Sequence, residues 1–191
     1  PGGSQDLALE DWDRVVGLNL RGVFLAAKLA IPHLRKSPCG RIIHIASIHA
    51  GGGGAGPAYA PAKAALVNLT RDTALELGPY GITCNAVAPG MILTDMTRHH
   101  WEKPEPAAFI KTRVPVGRIG TPEDIGHAVI FLAGDGASYV NGITIRVDGG
   151  IRVDGAALSA ALGLPVVNTV AVNTDGAAAL LTLLDRPDTW K

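Results

Sequence analysis

Ser47, Tyr59 and Lys63 bring a hydroxyl, a phenol and an amine into one short stretch of the chain. Those group types move a proton to or from an alcohol or carbonyl oxygen. Tyr59 and Lys63 stand four positions apart, so a helix through both puts them on one face, with the Lys63 ammonium near the ring. A positive neighbour favours the phenolate. A tyrosine that ordinarily titrates near ~10 then becomes a usable acid or base closer to neutral pH. Taken singly, each of the three reads as readily as a surface or capping residue. The assignment depends on their joint placement.

That placement asks for a strand end and a helix start. Residues 41–46, Arg-Ile-Ile-His-Ile-Ala, are short, apolar and rich in β-branched types, which predicts a buried strand with Ser47 at its C-terminal end. A helix is expected from about Ala58 to Leu77, with Ala65, Leu66, Leu69, Thr73 and Leu77 inward and Arg71, Asp72 and Glu76 outward. Pro61 is tolerated in a first turn, and Gly78-Pro79-Tyr80-Gly81 stops the helix. The intervening glycines, Gly51 to Gly54 and Gly56, lack the spacing and the later acidic residue of a dinucleotide fingerprint. They predict a compact, mobile loop beside a pocket.

Elsewhere the pattern alternates helix and strand. Glu10, Asp11 and Asp13 supply charge for a helix N-terminus, and Val15, Val16, Leu18, Leu20, Val23, Phe24, Ala27, Leu29, Ile31 and Leu34 keep helical spacing behind them. Asn19 is a mediocre helix former inside that run, either solvated or kept for its amide. A second buried strand over 82–88 leads to the Pro89-Gly90 turn. Residues 91–116 carry Met91, Met96, His99, His100, Trp101 and Phe109 without regular spacing; a core flap would read the same, but a substrate lid is preferred. Thr121-Pro122-Glu123-Asp124 is a helix start, and residues 143–147 read as a third strand. Short elements are expected near 156–162, 166–172 and 177–184. Ile151 to Gly155 nearly repeats Ile145 to Gly149, which reads as a seam between unrelated pieces.

Bulk composition narrows the partners. Basic and acidic residues number 17 each, so no net field recruits nucleic acid or an acidic membrane. A small metabolite is the expected partner. No uninterrupted apolar run reaches the ~18 to 20 residues of a membrane span, and the first residues lack signal-peptide character. The absence of an initial methionine fits a fragment. Cys39 and Cys84 form neither a disulfide framework nor a ligand spacing, and His99-His100 cannot share a helical face, so no metal and a cytoplasmic location are expected.

Asn19-Leu20 in a long helix, Ser47, Tyr59 with Lys63, the run Asn85-Ala86-Val87-Ala88-Pro89-Gly90, Thr94 and the closing Val147-Asp148-Gly149-Gly150 occur in a definite order. In that order they resemble the classical short-chain dehydrogenases/reductases, over roughly residues 6–150. The style is nearest to 3-oxoacyl-carrier-protein reductases and related sugar or polyol dehydrogenases. The resemblance implies an α/β fold, the C-terminal half of a Rossmann-like doubly wound parallel sheet with flanking helices. It implies interconversion of a carbonyl and a secondary alcohol by hydride transfer, with NAD or NADP. By the same resemblance Tyr59 is the acid/base and also contacts the cofactor, Lys63 assists it and binds the nicotinamide ribose, and Ser47 holds the substrate oxygen. Asn19 supports a water leading from Lys63 to solvent. Pro89, Gly90, Ile92 and Thr94 lie against the nicotinamide.

Family members also carry a glycine-rich turn of the form Thr-Gly-x-x-x-Gly-x-Gly and an Asn-Asn-Ala-Gly segment, neither of which occurs in this sequence. Residues 1–150 are therefore expected to be a partial domain holding the catalytic and substrate half, without the adenosine and pyrophosphate half. An isolated chain of this kind is expected to be inactive, with a homo-oligomer or a complementing chain as partner. The alternative is a non-catalytic remnant or oligomerisation module. Residues 151–191 read as an atypical βα extension that resembles the last segment of a ferrous-iron-transporter GTPase domain. They contain no Gly-x-x-x-x-Gly-Lys-Ser/Thr loop, and no GTP binding is expected.

Overall fold

The computed structural model describes residues 3–52, 54–101, 110 and 112–151. By its internal contacts the chain divides into Pro1–Gly150 and Ile151–Lys191. The three elements expected over 156–184 lie outside the described residues, as does Phe109 of the expected lid.

Three strands, β1 (Arg41–Ile45), β2 (Thr83–Pro89) and β3 (Thr144–Val147), form a parallel sheet in the order β1-β2-β3. The two long apolar runs became strands because a parallel sheet is covered on both faces. Alternation along the strands assigns each face. Ile42 and Cys84 pack on Ala74 and Leu77 of α4 (Tyr59–Leu77), with Ile31 and Leu34 of α2 (Gly22–Leu34) beside them. Ile43, Val87 and Ile145 meet Ile125, Val129 and Leu132 of α6 (Pro122–Ala133), which comes after the short α5 (Arg98–Trp101) in the chain, on the other face. The result is an α/β/α sandwich, the expected part of a doubly wound sheet. Because α4 and α6 lie on opposite faces while the strand order advances one way, the two crossovers have opposite hands. One of them is the uncommon left-handed form.

The N-terminal helix is continuous but not uniform. It runs as α1 (Leu9–Val16), a π turn (Gly17–Arg21) and α2, and rests on α4 and β1. Gly17, Asn19 and Gly22 are weak helix formers, and the Asn19 side-chain nitrogen donates to the Val15 carbonyl at 3.0 Å. Such back-bonding competes with the regular ladder and fits a π turn at this point. The expected buried stripe is only half realised. Val15, Val16, Leu20, Val23 and Ala27 are half-buried, but Leu18 (75% exposed), Leu29 (72%) and Phe24 face outward. Although no unbroken apolar run exists, Leu9–Leu34 as a helix has a mean hydropathy of 1.5 in its most apolar window, enough by length and composition to cross a membrane. Core helices of soluble proteins pass the same test.

Buried amides tie the sheet to its connections. Asn85, 1% exposed on β2, donates to the Val140 carbonyl at 2.8 Å and accepts from the Ile143 amide at 3.1 Å. Asn141 accepts from the Cys84 amide at 2.8 Å and donates to Ala74 of α4 at 3.1 Å. Asn85→Ala removes two bonds and leaves Val140 and Ile143 unpaired, so we expect a loss of about 2 to 3 kcal/mol in urea unfolding. A loss below about 0.5 kcal/mol would show that the amide does not pin β3 to β2.

The turn into α6 is fixed by charge. The Arg118 guanidinium grips both carboxylate oxygens of Asp124, at 2.7 and 2.8 Å, and Asp124 also accepts from the Thr121 amide at 2.8 Å. Those bonds hold the Asp124 carboxyl well below the usual carboxylate range.

Candidate active site

Ser47 follows β1, where the ladder continues past the strand: Ala46 donates to Val87 at 2.7 Å and Ile48 to Pro89 at 3.1 Å. Gly90 donates in turn to Val147 of β3 at 2.9 Å. The carboxyl ends of all three strands therefore gather Ser47, Pro89 and Gly90, at the edge where open α/β sheets bind ligands. The Ser47 hydroxyl is buried and accepts the His49 amide at 3.2 Å. This turn starts a short helix, α3 (His49–Gly52), where the glycine run had predicted loop throughout.

Tyr59 opens α4, as the sequence predicts. One turn on, the Lys63 Nζ stands 5.6 Å from the centroid of the Tyr59 ring. Lys63 is only 8% exposed, and its ammonium donates to the Ile45 carbonyl at 2.8 Å. Burial pushes its pKa below the ordinary amine value. The amine thus lies between the phenol and the end of β1, two residues before Ser47.

The remaining predicted residues are placed less directly. Asn19 lies in the π turn that packs on α4, but its amide nitrogen is bonded within its own helix rather than to Lys63. Ile92 forms a bridge with Gly120, where a Cβ would come within 2.6 Å of the Ile92 Cδ1. Thr94 is held by Thr97, whose hydroxyl accepts the Thr94 amide at 2.9 Å and donates to the Ile92 carbonyl at 2.8 Å. Thr97 was missed in the sequence, although a threonine three after another is a recognisable turn signal. A cleft of about 250 Å³ opens there, lined by Met91, Ile92, Val116, Val147 and Gly149. It adjoins the ends of β2 and β3, and its lining does not reach Ser47, Tyr59 or Lys63. Among the described residues no three His, Cys, Asp or Glu side chains gather as a metal site.

His44 was also missed. Its ring is buried on the α4 side of β1, with Nδ1 2.9 Å from the Thr70 hydroxyl. That hydroxyl spends its proton on the Leu66 carbonyl at 2.8 Å, so Nδ1 is the donor and the ring is the Nδ1-protonated tautomer. Nε2 is then a buried acceptor with no partner. Burial lowers the pKa of His44 from 6.5 and pushes the nearby Cys84 thiol up to about 12. Below pH ~6.5 the unfolded histidine takes a proton that the folded one refuses, so stability falls as pH drops through that window. Between pH ~9 and about 12 the unfolded thiol ionises first, so stability falls again as pH rises. We expect urea midpoints to fall on the acid side of neutrality and His44→Asn to flatten that acid limb. An unchanged acid limb in that variant would remove His44 from the account.

Residues 2–152 match the family model described as enoyl-(acyl carrier protein) reductase. The chain belongs to the short-chain dehydrogenase/reductase family. It is 41% identical over 145 residues to a 3-oxoacyl-(acyl-carrier-protein) reductase of Thermotoga maritima, covering 75% of this chain and 58% of that one. It is 42% identical over 143 residues to an L-rhamnose-1-dehydrogenase of Scheffersomyces stipitis, covering 74% and 55%. A solved structure from Beutenbergia cavernae, assigned as an NAD(P)-dependent gluconate 5-dehydrogenase with NADP bound at low occupancy, is 38% identical and superposes with a TM-score of 0.73. That superposition covers 78% of this chain and 60% of the other. This short-chain dehydrogenase/reductase chain thus spans somewhat over half the length of the curated relatives it matches. The family is one of NAD(P)-dependent oxidoreductases, and the α/β fold agrees with it.

The residues present suit one end of such a cofactor. A buried ammonium, a phenol and a serine hydroxyl at the carboxyl edge of the sheet are donors for ribose hydroxyls and a reacting carbonyl oxygen. For the pyrophosphate the sequence offers no spaced-glycine turn.

Proposed function

We propose that the chain carries the catalytic and substrate half of an NAD(P)-dependent oxidoreductase that interconverts a carbonyl and a secondary alcohol. The observation that carries this reading is the Lys63 ammonium 5.6 Å from the Tyr59 ring, beside the end of β1. The cofactor, when bound, supplies or accepts the hydride at the carbon. In reduction Tyr59 gives its proton to the carbonyl oxygen as negative charge develops there, and in oxidation it takes that proton back. Ser47 holds the oxygen, and Lys63 supplies positive charge beside the phenol and hydroxyl contacts to the ribose. Asn19 takes the water-bearing role through its side-chain oxygen, since its nitrogen is bonded to Val15. Pro89, Gly90, Ile92 and Thr94 form the wall against the nicotinamide. NAD and NADP remain equal candidates, with a small carbonyl or alcohol as substrate and the cytoplasm as location.

The test is NADH or NADPH oxidation with 3-oxoacyl thioesters and sugar lactones. The short-chain protein should be assayed alone and mixed with a fragment supplying the remainder of the relatives' length. We expect turnover in the mixture and little from the chain by itself. Absence of turnover in a mixture that demonstrably binds cofactor would sink the reading. The exposed Leu18, Phe24 and Leu29 favour a second reading, a non-catalytic oligomerisation module. It predicts stable self-association by sedimentation and no cofactor binding under any pairing.

A further inference from the structure

We propose that His44 is a positioning residue: its bond to Thr70 sets how far along β1 helix α4 sits, and so where Lys63 and Tyr59 stand against Ser47. The inference rests on the roles proposed for those three residues. Across the interface the contacts run in reverse order, as they must where a crossover helix returns along its sheet. Ile42 packs with Ala74, His44 meets Thr70, and Val67 lies on the cluster of Ala46, Ala86 and Ala88. From His44 the strand advances three residues to Ser47, ~10 Å, and from Thr70 the helix goes back seven residues to Lys63, ~10.5 Å. The two therefore arrive level at the carboxyl edge.

Apolar packing does not fix that level by itself. The contacts on either side of His44 are made largely by alanines, and the attraction between apolar groups has no direction. A hydrogen bond has both a direction and a length. Among the described residues two side-chain bonds join α4 to β1: His44 Nδ1 to the Thr70 hydroxyl at 2.9 Å, and Lys63 Nζ to the Ile45 carbonyl at 2.8 Å. Lys63 reaches along a flexible four-carbon stem, so its bond tolerates several positions of the helix. The imidazole is a rigid ring, and the Thr70 hydroxyl is itself held to the Leu66 carbonyl at 2.8 Å, so their bond tolerates far fewer. The ring is costly in another respect, because its Nε2 is a buried acceptor without a partner. An apolar side chain would cost less there. The bond thus contributes geometry more than stability, and the geometry it fixes is that of the amine and the phenol.

The experiment measures how fast acetic anhydride labels Lys63, relative to the exposed Lys28 and Lys36, in the 191-residue chain without cofactor, and sets that rate beside the urea midpoint. His44→Leu combined with Thr70→Val replaces both partners by apolar groups, so the midpoint should hold while labelling of Lys63 rises about tenfold, the population that one lost hydrogen bond releases. Two single variants separate register from the mere presence of a polar group. The amide nitrogen of His44→Asn takes the place of Nδ1, whereas that of His44→Gln takes the place of Nε2. Labelling should stay slow in His44→Asn and rise in His44→Gln, a comparison that decides the matter even where the double variant does not fold. Slow labelling in a folded double variant, or equal labelling in the Asn and Gln variants, would overturn the proposal. So would labelling that rises only in step with a falling midpoint, the mark of general loosening. No cofactor and no turnover enter these readouts, so failure of the proposed reaction is told apart from failure of the positioning role.

Discussion

Tyr59→Phe is expected to lower the turnover of carbonyl reduction about a thousandfold in the complemented enzyme, while cofactor affinity changes by less than about twofold. The magnitude is that of removing a positioned general acid, roughly 10² to 10⁴. The ring stays, and with it the apolar contacts at the start of α4, so the half-buried side chain loses one hydroxyl and no packing. The loss should appear in kcat and in kcat/KM alike, because the proton is needed in the transition state and not for binding. Single-turnover measurement with a deuterated nicotinamide checks the step directly. The isotope effect should grow in the variant if proton delivery and hydride transfer share one transition state. Turnover within a few-fold of wild type would remove Tyr59 from the catalytic role, and with it the main support for the proposed reaction.

The tyrosine and lysine were legible in the sequence because their relation is local. Four residues in a helix fix a shared face whatever the rest of the fold does, and the observed α4 begins at Tyr59, within a residue of expectation. The strands were legible for a similar reason: residues 41–46, 82–88 and 143–147 are short apolar runs carrying β-branched residues, and they became Arg41–Ile45, Thr83–Pro89 and Thr144–Val147. What escaped depends on tertiary neighbours. Nothing local says that the Leu18 and Leu29 side of the N-terminal helix faces outward, since an apolar stripe has the same period whether or not a partner covers it. His44 sits in the pattern where an apolar residue would serve, and its partner Thr70 is 26 positions away. The Lys63 to Ile45 bond is the clearest case. It joins α4 to the end of β1 across 18 positions, a contact set by how the helix packs on the sheet rather than by any one segment.

Lys63→Met should lower kcat/KM about a hundredfold, the scale of losing one positioned charge in a water-poor site, and should also raise the KM for the cofactor. The second effect separates it from Tyr59→Phe, because the amine is assigned both to the phenol and to the ribose. Lys63→Arg keeps the charge but not the compact three-donor geometry, so only partial recovery is expected. Stability should move the opposite way from activity. Burial lowers the pKa of Lys63 from 10.5, so over the window below that value the unfolded chain holds a proton that the folded chain has released. The folded state therefore gains stability as pH rises through the window, and loses it where the amine must be charged and buried. Cys84 acts in the opposite direction above pH ~9, so the two overlap. The difference between wild type and Lys63→Met isolates the lysine. The variant's unfolding midpoint should lie above that of wild type at neutral pH, with the gap closing as pH approaches 10.5. A variant that is both inactive and less stable at every pH would mean that the Ile45 bond, rather than the catalytic position, is what keeps the amine there.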